Sequence, residues 1–463
     1  MRKFLWVFIC FFLCGVSYAE SNFSYYGYLK NETSLRLNNF NSDLTKEKEI
    51  MMLAGQYTFN PDLVLFSKVK YFYDFAYSHR SQMDPAGHYM EHVQRTEWLR
   101  DAYLDYTNGS WFLRLGKQQV AWGQSDGIAV LDKVDPVDLR EYWLPDMEDI
   151  RIPVWTINVN YSPKINSNLQ LLCIPDFEES QVAPPGSPFT IRAYKIFDSF
   201  RRTVAGIPGG RLNVNMHPPG DRLNMATWGL QWSDRLGDLD YTLNFLYGPY
   251  TTARNTTTGT FPVLTVSRDY KLWRVYGASF NKTFTNPGPM QGITIKGDFA
   301  WYNDEPTYFG NPEAATPSTS GVVRWDNKFW ILGIDKYFLT KWLVGFQFGQ
   351  YIMEHGKNKD SAFAAQNQYP MNAFTNGRQD PVENIFSLKI ATGSGFMNDR
   401  LKPEILWSLT DDNQGRLSPK VSYEIVDNLV GTLGIHYFYG DPRDSNGQFR
   451  DESQYYCQMK YSF

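Results

Sequence analysis

The chain is short of cysteine, short of charge and free of long apolar runs beyond its first twenty residues, and each shortage closes a class of explanation. Four cysteines in 463 residues are too few for a disulfide scaffold, an iron–sulfur cluster or a structural zinc site. No C-x-x-C-H is present to attach haem, and no cofactor is expected. Lys plus Arg is 45 against 49 Asp plus Glu, a formal charge of −4, so the cationic excess that a nucleic-acid binder needs is missing. No apolar stretch after residue 19 approaches 18 residues, so no helical membrane span is expected. With 35 Gly and 25 Pro the chain is neither collagenous nor of low complexity. What it has in plenty is aromatic side chain: 14 Trp, 30 Tyr and 32 Phe, more than a disordered segment carries.

The first residues read as an export signal. Met1-Arg2-Lys3 is a short basic head, Phe4 to Val16 is apolar, and Ser17-Tyr18-Ala19 is a small-residue cleavage site before Glu20. Residues 1–19 are therefore expected to be a signal peptide and 20–463 the mature chain. Cys10 and Cys14 leave with it, and Cys173 and Cys457 are expected to stay unpaired in apolar strand positions, although one long-range disulfide is possible.

Beyond the signal, apolar and polar residues alternate with period two. Leu239, Tyr241, Leu243, Phe245 and Tyr247 alternate with Asp240, Thr242 and Asn244, and Tyr455, Cys457, Met459, Tyr461 and Phe463 share one face of the last segment. Short turns stand at 60–62, 108–109, 163–167, 234–238, 286–292, 339–341, 397–400 and 427–428. Between them lie long connections at 39–46, 79–96, 122–152, 177–221, 251–262, 304–320, 355–381, 411–415 and 441–450. Short and long alternate strictly, which predicts 18 strands with both termini on the short-turn side. The fold class implied is all-β: a transmembrane antiparallel up-and-down barrel, closed because lipid offers no partner to an unpaired backbone group. Aromatics would then collect at the two membrane interfaces.

A barrel of this size leaves an aqueous lumen unless loops fill it. The inward positions expected to line it include Lys68, Lys70, Asp101, Asp105, Arg114, Gln118, Lys296, Asp298, Lys420, Glu424 and His436, with both signs mixed and no one-sign ladder. The loop 122–152 carries Asp126, Asp132, Asp135, Asp138, Glu141, Asp146, Glu148 and Asp149 against Lys133, Arg140 and Arg151, together with Ile128, Val130, Leu131, Val134, Leu139, Trp143 and Leu144. Folded inward, it would bury its apolar residues on the wall and aim Asp126, Asp132, Asp135 and Asp138 into the pore beside Arg114 and Gln118. Folded outward, it would be a packed cap. Loop 177–221 is expected to hold an amphipathic helix near 188–205 with Arg192, Lys195, Arg201 and Arg202, serving either as a plug against the acidic loop or as an external loop that binds anionic polysaccharide.

Two motifs invite catalytic readings. Gly123-Gln124-Ser125-Asp126-Gly127 matches a nucleophile elbow, but that motif requires a strand-turn-helix and a matched histidine. Its glycines are better explained by a bend at the barrel rim. His88-Tyr89-Met90-Glu91-His92 matches a zinc-binding pattern without a third ligand.

The stretch from Glu97 to Tyr161 resembles a bacterial outer-membrane porin-like family known as a domain of unknown function, with alginate-export barrels as a more distant analogue. The resemblance rests on Gly116-Lys117-Gln118, Trp122-Gly123, Asp135-Pro136-Val137-Asp138-Leu139 and Leu144-Pro145-Asp146. It implies a transport pore in the outer membrane of a Gram-negative bacterium, passing small, hydrophobic or anionic molecules, and it names no substrate. Lipid, lipopolysaccharide and, through the terminal Phe463, the barrel-assembly machinery are the partners expected. A barrel sheathing an electron-transfer or export partner is the competing reading.

Overall fold

The computed structural model describes residues 22–37, 44–79, 98–219, 225–311, 318–339, 341–354, 369–371, 375, 379–411 and 413–463. The expected signal peptide and the His88–His92 motif lie outside these residues.

Eighteen strands among the described residues form one closed antiparallel barrel. The first five are β1 (Phe23–Arg36), β2 (Leu44–Asn60), β3 (Leu63–Asp74), β4 (Leu99–Asn108) and β5 (Trp111–Gln118). After the long third loop come β6 (Val154–Lys164) and β7 (Ser167–Ile174), and after the fourth β8 (Thr227–Leu236) and β9 (Leu239–Pro249). Then follow β10 (Leu272–Thr283), β11 (Ile293–Asn311), β12 (Ser318–Phe338), β13 (Trp342–Glu354) and β14 (Val382–Thr392). The last four are β15 (Leu401–Thr410), β16 (Gly415–Val426), β17 (Leu429–Tyr439) and β18 (Gln454–Ser462). The ring closes where β1 pairs with β18, from Tyr28 opposite Ser462 to Arg36 opposite Gln454. Phe463 continues this seam, exchanging both backbone hydrogen bonds with Gly27 at 2.9 and 3.0 Å.

Period-two patterning sets the two faces. On β11, Lys296, Asp298, Ala300 and Tyr302 are buried and face inward, while Phe299 and Trp301 are exposed on the outer wall. Leu332 and Ile334 on β12, Leu243 on β9 and Tyr276 on β10 extend that apolar outer band. An apolar exterior on a sheet with no edge is the arrangement that hydrocarbon requires. Cys173 and Cys457 are free thiols, each on the outward parity of its strand.

All eight short turns fall where the alternation places them. Two long connections differ. The one expected at 251–262 runs on to residue 271, because Arg254–Thr260 and Val263–Asp269 form a hairpin joined in parallel by Arg211–His217 from the fourth loop. The one expected at 304–320 is mostly strand: β11 and β12 are 19 and 21 residues long, about twice the length needed to cross a bilayer, and their pairing continues across register shifts as far as Asn311 and Ser318. Turn-rich composition marked these segments as loops, but cross-strand pairing kept them in the ladder.

Candidate functional site: a loop tied into the lumen

The third loop, 119–153, lies inside the barrel. Its bend at Gly123 is forced by contact: φ is +98° and a Cβ there would lie 2.9 Å from Asp298 Oδ2. Asp298 receives the backbone N–H of Gln124 at 2.8 Å and of Ser125 at 2.9 Å, and the Ser125 hydroxyl at 2.6 Å. Ser125 of the apparent nucleophile elbow therefore donates to a wall carboxylate, and its role here is to hold the loop. Next, Val130, Leu131 and Val134 bury against Leu172, Leu246, Trp273, Val275, Tyr302 and Ile331 of the inner wall. Leu131 sits directly over Gly277, where a Cβ would come within 2.1 Å of it. Tyr302 donates its hydroxyl to the Val130 carbonyl at 2.5 Å.

The carboxylates expected at a constriction are placed differently from one another. Asp126 is half exposed and pairs with Lys296 at 2.5 Å, which also holds Asp335 at 2.7 Å. Asp132 pairs with Arg151 at 2.7 Å. Asp138 is clamped by its neighbour Arg140, with Nη2 at 2.5 Å. Asp135 is a correction: it is 4% exposed, accepts the Val120 N–H at 2.8 Å, and its Oδ1 has no hydrogen-bond partner among the described residues. Its aspartate lies under the loop and is not aimed into the pore. Burial pushes its carboxyl well above the ordinary aspartate value.

Gln118 is also corrected, being 1% exposed and tied into the wall through the Thr156 carbonyl at 3.0 Å and the Asn158 amide at 3.1 Å. Arg114 and Asp105 form a bidentate pair at 2.7 and 2.8 Å, with the guanidinium 3.9 Å from the Tyr103 ring. These bonds stay within β4 and β5, so Arg114 is not gathered with the loop carboxylates. Lys420 pairs with Glu404 at 3.1 Å. Glu424 shares the inward face with Ser418, Lys420 and Ser422, nearer the short turn. His436 stacks on Tyr456 at 4.5 Å and bonds Ser418 through Nδ1 at 3.0 Å.

On one side of the wall cations gather within a ladder of mixed sign, with Glu32 and Asp74 opposite Lys48 and Asp101 opposite Lys68. Lys30 of β1, Lys46 and Lys48 of β2, Lys68 and Lys70 of β3 and Arg100 of β4 line up across neighbouring strands. No single strand carries more than two of them, which is why reading along the chain does not show the row. The loop answers with carboxylates: Glu141 bonds both Lys46 and Lys48, Glu148 reaches Lys68 at 2.8 Å, and Asp149 reaches Lys70 at 2.5 Å. Asp101 holds Lys68 from the wall at 3.0 Å, and Glu32 holds Lys30 at 2.7 Å. Arg100 donates to the carbonyls of Glu148 and Arg151 at 2.9 and 2.6 Å, and Arg416 to the Trp143 carbonyl. Burial alone would raise the pKa of Glu141, but Lys46 and Lys48 hold it below the usual carboxylate range. Burial likewise opposes Lys70 and Lys30 at Asp149, and the lysines prevail, holding it at about 2.

Two chambers flank this ion-pair row. A chamber of about 390 Å³ lies between loop residues 143–150 and the wall of β15–β18 and β1, with Lys30, Glu32, Glu141, Asp146, Arg416 and His436 among its lining. A second, of about 120 Å³, lies on the other side of the row, against β1–β5 and the fourth loop. The loop carboxylates that face open space are thus Glu141, Asp146 and Asp149, with Asp138 at the edge of the second chamber, as well as Asp126.

The fourth loop contains the expected helix, at Arg192–Ala205. It does not meet the third loop through opposite charges. Arg201 and Arg202 pair with Asp198 of their own helix at 2.6 and 2.7 Å, and Arg192 donates to the Thr375 carbonyl. The loops are joined instead by Gln181–Val182 running parallel to Asp138–Leu139. Tyr142, Phe189, Ile191, Phe438 and Phe449 add an aromatic cluster at the junction. No group of three His, Cys, Asp or Glu able to hold a metal ion occurs among the described residues.

Comparison with known proteins agrees with this architecture. The family described as "Protein of unknown function (DUF1302)" matches residues 39–463. The chain belongs to the DUF1302 family. No curated protein matches it. Among solved structures it is similar to OccAB1 of Acinetobacter baumannii, with a TM-score of 0.52 at 10% identity, covering 96% of this chain and 98% of that one. OccAB3 of the same organism gives 0.50 at 10% identity over 95% and 99%. OpdK of Pseudomonas aeruginosa, solved with vanillate, gives 0.50 at 9% identity over 95% and 98%. At these identities the likeness is one of fold.

Proposed function

We propose that this DUF1302 chain is an outer-membrane channel through which small molecules pass by diffusion or facilitated transport. The observation that carries the reading is the chamber of about 390 Å³, room for many waters, left open beside a loop that is tied to the inner wall of a closed barrel. Solutes would pass between Glu141, Asp146 and Asp149 of the loop and Lys30, Arg416 and Lys420 of the wall, with pore width and these charges setting selectivity. Asp126, paired with Lys296 of β11, would add a further charged pair at the lumen. The outer apolar band would sit in lipid and lipopolysaccharide, and Phe463 at the seam would engage the assembly machinery. A sheath around a protein partner would need an empty lumen, and the tethered third loop weighs against it.

The experiment is conductance of the refolded barrel in planar bilayers in potassium chloride, with and without residues 180–220. Discrete channels are expected, with larger conductance in the deletion because the fourth loop braces the third. A folded barrel that passes no current in either form would overturn the reading.

A further inference from the structure

The smaller chamber is amphipathic in a specific way. Ile50, Phe72 and Phe189 give it an apolar side, and Lys48, Lys70 and Arg100 give it a cationic one. The two meet at Lys48, whose ammonium is 4.0 Å from the Phe72 ring centroid. Its acids are already engaged. Asp74 accepts the backbone N–H of Glu47 at 2.9 Å and of Ala76 at 3.1 Å. Asp138 is held by Arg140, Glu32 by Lys30 and Lys46, and Glu178 stands near Lys117 of the same lining.

The counter-ions of Lys48 and Lys70 are Glu141 and Asp149, both from the third loop. The cations stand on strands paired on both sides, so they cannot retreat. The carboxylates stand on a loop, which can. Arg100 is satisfied by two carbonyls, and this leaves its charge without a carboxylate in those bonds. A wall of fixed cations beside an aromatic ring, neutralised by displaceable carboxylates, is a site for exchange of one carboxylate for another.

We propose that this chamber binds an amphipathic monocarboxylate, whose head replaces Glu141 on Lys46 and Lys48 and whose tail lies on Phe72, Ile50 and Phe189. The proposal rests on the channel reading and adds its substrate class. A cation could not bind in the same manner, since it would have to displace a lysine from the wall.

The test is calorimetric titration of the detergent-folded full chain with sodium hexanoate, using hexylamine and hexanamide as controls. Hexanoate is expected to bind at least about tenfold more tightly than either control, the loss expected when a charge-assisted hydrogen bond is removed. Glu141→Gln should tighten hexanoate binding several-fold, because the competing carboxylate is gone, whereas a merely structural role for Glu141 would weaken it. Lys48→Gln should weaken binding about tenfold. Equal binding of hexanamide or hexylamine, absence of hexanoate binding, or weaker binding in Glu141→Gln overturns the proposal. A barrel that conducts potassium chloride but ignores hexanoate removes the site and leaves the channel, and one that binds hexanoate but does not conduct does the reverse.

Discussion

Replacing Asp298 by alanine should release the start of the third loop without opening the barrel. The carboxylate is 3% exposed and receives three donors from the loop, the Gln124 and Ser125 amides and the Ser125 hydroxyl, at 2.6–2.9 Å. A hydrogen bond to a charged group is worth roughly 1.5–3 kcal/mol, and three on one carboxylate are not additive. We therefore assign the set about 3 kcal/mol, which corresponds to a roughly 100-fold rise in the open population of this segment. The opening should stay local, because Val130, Leu131 and Val134 remain packed on the wall and Asp126 keeps Lys296. Hydrogen exchange read by mass spectrometry is the assay: peptides spanning 122–128 should exchange about 100-fold faster, while those from β10 and β12 should not change. Asp298→Asn, which retains an acceptor, should fall between. A rise of less than about threefold in 122–128, in a barrel that remains folded, would show that the carboxylate does not hold the loop.

Three further outcomes follow from the same contacts. Gly277→Val should displace Leu131 from the wall, since even a Cβ at this position would stand 2.1 Å from it. Limited proteolysis within 126–134 and a larger channel conductance would report the displacement. The row of loop carboxylates should resist acid: Glu141 and Asp149 titrate below their ordinary values, so the stability they contribute is complete above the usual carboxylate range and is lost only as pH falls through their folded values, about 2 for Asp149. Trp143 fluorescence should thus hold from pH 7 to about pH 4, with release confined to stronger acid. Asp135 has the opposite sign. Its folded pKa is raised, so the stability it contributes is present below the ordinary aspartate value and is lost as pH rises through the folded one. Asp135→Asn, which retains an acceptor for the Val120 N–H, should flatten that loss, leaving the loop at least as protease-resistant as the parent at pH 8.

The strand count was legible because a barrel writes itself locally. Each hairpin needs only its own alternation and its own turn, and the parity of Leu239 to Tyr247 or of Tyr455 to Phe463 survives unaltered in the folded sheet. The inward course of the third loop was legible too, from the excess of apolar residues such as Val130 and Leu131 in a segment that would otherwise face water. The long β11–β12 arm was not, because its ladder bonds come from a partner strand and its own residues look like those of a turn.

The identity of the facing charges lay further out of reach. Lys30, Lys46, Lys48, Lys70 and Arg100 stand on four strands, separated by one turn and two long connections, and they form a row only when backbone pairing sets those strands side by side. Asp135 and Asp126 are nine positions apart in one loop and chemically alike. One is sealed beneath the loop and the other pairs with Lys296 at the lumen, a difference made by the direction the chain takes after Gly123. The sequence by itself determined that the sheet closes, how many strands it takes and which face of each strand is apolar, since these depend on period and turn length. Only the tertiary structure decided which acids meet which lysines and where space is left between them, because those contacts join residues whose separation along the chain carries no trace of their separation in space.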